Sequence, residues 1–112
     1  MTITNQKIAN YSFLASMYSD NYYPNFLVDK GKVILIRLCE TIESTQPQSL
    51  AELYQLTHAA TNEFNDLQEE FWANDSEIET MARDSIATDF EYIAKAYGFD
   101  PDLEELVATR DW

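Results

Sequence analysis

The sequence predicts an all-α fold: a compact single-domain helical bundle of about four to five helices over residues 1–112. The chain is 46% hydrophobic and 13% aromatic with only two glycines and three prolines, which argues against disorder and against a turn-rich β-sandwich. Apolar residues recur at intervals of three and four, as in amphipathic helices. A chain of 112 residues buries one core and is too short for two ordinary domains.

The first predicted helix covers the segment NYSFLASMYSDNYY. Phe13, Leu14 and Met17 have helical spacing within it, and Pro24 ends the helix or kinks the chain. The tyrosines of this segment are expected to pack on the bundle, with their hydroxyl groups bonded to polar partners.

The second predicted helix covers LVDKGKVILIRLCETIES. Its run Val33–Ile36 also fits a buried strand, because β-branched residues favour sheets. A helix is favoured because Leu38 and Ile42 extend the apolar face beyond the typical strand length of about five to six residues. A helix that is apolar on most sides is expected at the centre of the fold. The single cysteine, Cys39, is expected to be a buried, unreactive thiol that forms no disulfide.

The third predicted helix begins with a capping box, in which Ser49 is followed three residues later by Glu52. It is expected to end at Phe71 or Trp72. Its apolar residues follow helical spacing and predict one buried stripe, made of Leu53, Leu56, Ala60, Phe64, Leu67 and Phe71.

The fourth predicted helix begins with a second capping box, Ser76 with Glu79, and ends before Gly98. Asp100, followed by a proline, predicts the start of a short closing helix. The inward face of the fourth helix is expected to consist of Ile78, Ala82, Ile86, Phe90, Ile93 and Tyr97.

Negative charge is concentrated in the second half of the chain. The net charge is −13; residues 1–58 hold five acids and four bases, whereas residues 59–112 hold fifteen acids and three bases. Binding to nucleic acid or to an anionic membrane needs clustered Lys and Arg, so both partners are excluded. A basic protein is the partner that this field attracts. Because the sequence shows neither a signal peptide nor an apolar run of about 20 residues, we expect a cytoplasmic protein.

The sequence contains no motif typical of catalysis or of a metal site, so no catalytic residue, metal or cofactor is predicted. Di-iron bundles require a glutamate three residues before a histidine, and the single histidine of this chain, His58, has none at that position. On the helical wheel it groups with Asn62, Asn65, Asp66 and Glu69, nearly opposite the buried stripe. These side chains are expected to point outward into solvent.

Four segments of the chain point to a known family. They are NYSFLASMYSDNYYPNFLVDKGK, LYQLTHAATNEFNDLQEEF, SEIETMARDSIATDFEYIAKAYGF, which begins with SEIET, and the closing RDW. With these segments the chain resembles a family of small uncharacterised bacterial proteins that is filed as a domain of unknown function. The resemblance implies a bacterial cytosolic protein of about this length, and it brings no activity, cofactor or catalytic residue.

The favoured hypothesis is a protein-binding module whose acidic third and fourth helices dock a basic partner. Its most concrete form is an immunity or antitoxin-type inhibitor of a cationic toxin, since complementary charge speeds encounter and suppresses wrong partners. Trp72 is a candidate aromatic anchor. The predicted partner-binding residues are His58, Asn62, Asp66, Glu69, Glu70, Trp72 and Glu77.

Two alternatives remain open. One is a small enzyme, or a ligand-binding or metal-binding protein, with a polar pocket near the N-terminal tyrosines, Thr57, His58 and Thr61. The other is a structural homodimer that buries the apolar end of the second helix. The chain is therefore expected to be a monomer or a homodimer.

Overall fold

A computed structural model describes residues 3–112, and the helices in that range confirm the all-α prediction. No strand occurs among the described residues. Six helices occur there instead of the expected four to five, because the first predicted helix is broken. They are α1 (Gln6–Ala9), α2 (Ala15–Tyr18), α3 (Asn25–Thr45), α4 (Leu50–Ala73), α5 (Thr80–Ala96) and α6 (Leu103–Leu106).

The N-terminal segment is interrupted at Leu14. This residue has a φ of 56°, in the left-handed region that non-glycine residues rarely adopt. Its main-chain N–H donates a hydrogen bond of 2.7 Å to Oδ2 of Asp89 in α5. The prediction of one continuous helix up to Pro24 is therefore wrong, because a tertiary contact fixes a conformation that no helix contains.

Helix α3 confirms that the run Val33–Ile36 is helical. Gly31 lies where α3 crosses α4, and a Cβ there would come within 3.0 Å of Leu14 Cδ1 and 3.1 Å of Phe64 Cε1. The prediction that this helix lies at the centre of the fold is wrong, however, because Val33 is 50% exposed. The covered side of α3 packs against α4, α2 and α5, and the opposite side faces solvent. Cys39 is buried as expected, and burial raises the pKa of its thiol to about 12.

Helix α4 begins as predicted, whereas α5 does not. Ser49 caps α4 by accepting a hydrogen bond of 3.2 Å from the main-chain N–H of Glu52. Ser76 is buried, and its hydroxyl group donates to the main-chain oxygen of Tyr22 at 3.1 Å. Because the Ser76 side chain is used in this contact, α5 begins only at Thr80.

The end of α5 confirms the predicted stop at Gly98, whereas the start of α6 differs from the prediction. Gly98, at a φ of 87°, follows α5 as predicted. The cap of α6 is Asp102, whose side chain accepts from the N–H of Glu104 at 3.0 Å, so the prediction of Asp100 as the cap is wrong.

The core lies between α3, α4 and α5. The predicted inward residues of α4 and α5 are all buried except Leu56 and Tyr97, which are half-buried. Tyr97 lies near the end of the core, where its hydroxyl group reaches a carboxylate. Among the helices within residues 3–112, none combines the length and the apolar character needed to cross a bilayer.

Glu43 of α3 joins the N-terminal residues to the end of α5. Its carboxylate accepts hydrogen bonds from the N–H groups of Thr4 (3.0 Å) and Asn5 (3.2 Å) and from the hydroxyl group of Tyr97 (2.5 Å). Burial alone raises the pKa of Glu43, but the hydrogen bonds together outweigh this effect and lower the pKa from 4.5 to about 2.

We expect the variant Glu43→Gln to change the response of the fold to acid. The lowered pKa stabilises the fold above about pH 4.5, and this stabilisation is lost as the pH falls towards 2. The wild type is therefore more stable than the variant at pH 6, and the difference shrinks on acidification. Urea unfolding at several pH values measures it, with Glu69→Gln as the exposed control. A difference independent of pH contradicts the prediction. Asp89, whose raised pKa has the opposite effect, is the same in both proteins and cancels.

Candidate functional site

Part of the polar side of α4, around His58 and Asn65, is covered by residues 103–112, called here the C-terminal segment. Nε2 of His58 lies 2.7 Å from the main-chain oxygen of Glu105. The Asn65 side chain donates to the oxygen of Thr109 at 3.0 Å and accepts from the N–H of Asp111 at 2.9 Å. The prediction that His58 and Asn65 point into solvent is therefore wrong. The helical wheel separated them from the core but contained no information on a second segment that binds them.

The C-terminal segment also covers the polar residues of the alternative ligand pocket. Thr57 and Thr61 are buried, and the Thr61 hydroxyl group donates to the oxygen of Thr57 at 2.8 Å.

The contact between His58 and the main-chain oxygen of Glu105 determines which ring nitrogen carries the proton. A carbonyl oxygen only accepts, so the proton of neutral His58 is on Nε2. Within residues 3–112, no group of three or more His, Cys, Asp or Glu side chains is arranged to hold a metal.

Asp89 is the acid that sequence reasoning missed inside the core. It is 3% exposed and accepts from the hydroxyl group of Tyr11 (2.5 Å) as well as from Leu14. Burial raises the pKa of Asp89, and the two hydrogen bonds only partly offset this effect. Tyr11 also stacks on Tyr92, with ring centroids 3.9 Å apart. The spacing could have predicted that Asp89 is buried, because position 89 lies three residues after Ile86 in the buried stripe.

Tyr11 also lies beside an open cavity, the nearest counterpart of the predicted pocket by the N-terminal tyrosines. The cavity has a volume of about 530 Å³, and most of its lining residues carry a hydroxyl or carboxyl group: Tyr11, Ser12, Ala15, Ser16, Thr80, Met81, Asp84, Ser85, Thr88 and Asp89. The hydroxyl groups of Tyr11 and Tyr18 are bonded to Asp89 and Asp29, as the packing prediction required.

A groove runs between α3 and α4 on the side away from α5. Its volume is about 420 Å³, and its apolar floor is made of Val33, Ile34 and Leu67. We call it the α3–α4 groove, and its lining residues are Asp29, Lys30, Val33, Ile34, Arg37, Glu63, Asp66, Leu67 and Glu70. Sequence reasoning did not find the floor, because the run containing Val33 was assigned wholly to the core.

Two ion pairs cross the α3–α4 groove, Lys30 with Glu70 and Arg37 with Glu63. The residue numbers rise in α3 as they fall in α4, so the two helices are antiparallel. Seven residues separate the pairs along each helix, a distance of about 10 Å at 1.5 Å per residue. With Asp29 and Asp66, the rim carries four acids and two bases. The groove is therefore apolar at its floor and negative at its edges.

A second depression, called here the tryptophan cleft, lies where the end of α4 meets the start of α5 and the C-terminal segment. Its volume is about 630 Å³. Trp72, at its edge, is 52% exposed, whereas Trp112 is only 8% exposed. The lining residues are Gln68, Trp72, Glu77, Ile78, Glu79, Thr80, Met81, Arg83, Asp111 and Trp112.

The Trp112 ring is held by contacts on several sides. It meets Phe64 edge to face at 6.2 Å between centroids, and the guanidinium carbon of Arg110 lies 5.5 Å from its centroid. Next to it, Gln68 donates to the Asp111 carboxylate at 3.0 Å. The indole N–H of Trp112 is buried and has no acceptor among residues 3–112.

The predicted partner-binding residues are distributed over three places. Asp66 and Glu70 line the α3–α4 groove, whereas Trp72 and Glu77 line the tryptophan cleft. His58 binds the C-terminal segment. Asn62 and Glu69 are exposed on α4 and line neither depression. The structure therefore offers two separate surfaces in place of one continuous acidic patch.

The comparison with protein families matches residues 7–112 to a family of unknown function, DUF5713. The protein belongs to this family. The SEIET and RDW segments of this chain meet in the tryptophan cleft. A search of curated proteins and a search of solved structures each found no match. The geometry of the two surfaces is therefore the basis for a functional proposal.

Proposed function

We propose that this protein is a small acidic protein-binding module that takes a basic amphipathic helix of its partner in the α3–α4 groove. The observation that carries the proposal is the apolar floor, with the half-exposed Val33, between edges of net negative charge. An amphipathic helix in a groove buries its apolar side chains on such a floor and presents its cations to the rim.

The charge of the whole molecule supports a basic partner. A net charge of −13 on 112 residues attracts a cationic protein at long range and repels an acidic one. The same charge disfavours a second copy of this chain as the occupant, because two grooves with four acids and two bases each would face one another. A cationic toxin neutralised by this protein, as in an immunity or antitoxin pair, is the most concrete form of the proposed partnership.

The ion pairs across the groove are open to exchange. Both are exposed, and exposed pairs contribute only about 0–1 kcal/mol. Glu63 and Glu70 can therefore turn from Arg37 and Lys30 towards cations of the partner at little cost. Asp66 lies between them on α4, one turn from Glu70, and adds a third carboxylate to the same edge.

We expect the variant Val33→Glu to weaken binding of a cationic amphipathic helix at least tenfold, because it places a charge on the apolar floor. The probe is a fluorescein-labelled 18-residue helix of leucine and lysine, measured by fluorescence anisotropy. The matched control is Leu50→Glu, which introduces the same charge at an exposed leucine outside the groove. A sequence-scrambled peptide tests the need for an amphipathic face.

Salt dependence and oligomeric state complete the test. Raising the salt concentration from 50 to 300 mM should weaken binding, because the rim contacts are solvent-exposed. Equal losses in Val33→Glu and Leu50→Glu, or binding indifferent to salt, would contradict docking in the groove. Light scattering that shows a wild-type dimer, converted to monomer by Val33→Glu, would assign the groove to a homodimer instead.

A further inference from the structure

We infer that the tryptophan cleft is a second binding site, which takes an arginine side chain of a peptide segment. The inference is independent of the α3–α4 groove. At 100° per residue, Gln68 and Trp72 lie roughly 160° around α4 from Asp66 and Glu70. One ligand-sized depression therefore lies on each side of the helix.

The charges of the cleft select a cation. Glu77, Glu79 and Asp111 line it against one base, Arg83. The guanidinium group of Arg83 donates to the Thr80 hydroxyl group at 3.0 Å and approaches no carboxylate within residues 3–112 closely enough for an ion pair. The carboxylate of Glu77 is exposed and remains available to a ligand. The exposed carboxylate of Glu79 accepts one long hydrogen bond of 3.4 Å from the Tyr22 hydroxyl group, which a guanidinium group can replace.

The shape and aromatic content of the cleft favour arginine over lysine. Trp72 leaves half of its surface uncovered at the edge of the cleft. A planar, weakly hydrated guanidinium group stacks on an indole face and simultaneously donates several hydrogen bonds to carboxylates, which an ammonium group cannot match. The apolar stem of the side chain would lie along Ile78 and Met81, which line the same cleft.

The unpartnered N–H of Trp112 indicates a peptide and not a free cation. A buried N–H group without an acceptor is rare in folded proteins. The described residues supply no acceptor for it, and a main-chain carbonyl group next to the bound arginine would supply one once the side chains that cover this N–H group move aside. The ligand is therefore a peptide segment that offers a guanidinium group to Trp72 and a carbonyl oxygen to Trp112.

The two tryptophans of the chain make this inference testable by NMR, since each gives one indole N–H signal. The probe is acetyl-Gly-Arg-Gly-amide, and its control contains citrulline, a neutral isostere of arginine. Trp72→Phe assigns the two signals. We expect the arginine peptide to shift both signals and to move the Trp112 proton downfield, and the citrulline peptide to bind at least tenfold more weakly.

Matched variants separate this site from the groove. The double variant Glu77→Gln/Glu79→Gln should weaken the arginine peptide at least fivefold, whereas Asp66→Asn/Glu70→Gln should leave its binding unchanged. A well-dispersed spectrum of each variant shows that it is folded. Shifts of neither signal, or of Trp72 alone, would overturn the inference, as would equal binding of the citrulline peptide. None of these outcomes depends on whether the groove binds a basic helix.

Discussion

Replacing Asp89 by alanine is expected to lower the free energy of unfolding by about 3 kcal/mol, a large part of the roughly 5–15 kcal/mol that a domain has. The variant leaves the N–H of Leu14 without its acceptor inside the core and removes the partner of the Tyr11 hydroxyl group. It also removes the contact that holds Leu14 in its left-handed conformation. Removing the buried charge restores only part of the lost free energy of unfolding, because the carboxylate was well hydrogen-bonded.

Two variants identify the cause of the loss. Asp89→Asn keeps the shape and one acceptor oxygen, so it should cost less than half as much as Asp89→Ala. Asp84→Ala removes an exposed acid from the same helix and should cost less than about 0.5 kcal/mol. Urea unfolding at pH 7 measures all three. If Asp84→Ala and Asp89→Ala are equally harmless, Asp89 does not hold the N-terminal segment in place.

Replacing Trp112 by alanine is expected to cost about 4 kcal/mol, as is usual for a large buried aromatic side chain. The indole fills the space beside Phe64 and holds the end of the C-terminal segment against α4. The chain offers its own control, Trp72→Ala, in which the same side chain is lost from a site that is half exposed. We expect a cost below about 1 kcal/mol there.

Thermal and urea unfolding of these two tryptophan variants provide the comparison. Hydrogen exchange adds a local measurement, since Trp112→Ala should release the main-chain N–H of Asp111, which is bonded to Asn65. Similar stabilities of Trp112→Ala and Trp72→Ala would show that the C-terminal segment contributes little. They would also remove the physical basis for treating it as a wall of the tryptophan cleft.

The polar side of α4 shows how one helix surface can have several roles. His58 and Asn65 bind the C-terminal segment, Asp66 and Glu70 line the α3–α4 groove, and Trp72 projects at the tryptophan cleft. A helix of 24 residues is long enough to present these groups at different heights and angles. The polar side of α4 is therefore divided between contacts that hold the C-terminal segment and side chains that line the two depressions.

The sequence by itself determined the helical class, the extents of α3 and α4, the buried stripes and the uneven charge. These features follow from local periodicity, capping and composition, which each segment carries without reference to the rest of the chain. Tertiary structure alone decided that Leu14 breaks the first helix, that Ser76 binds Tyr22 and that residues 103–112 cover His58. Each of these depends on a partner many residues away. A helical wheel shows which side avoids the core, but only the folded chain shows what lies against that side.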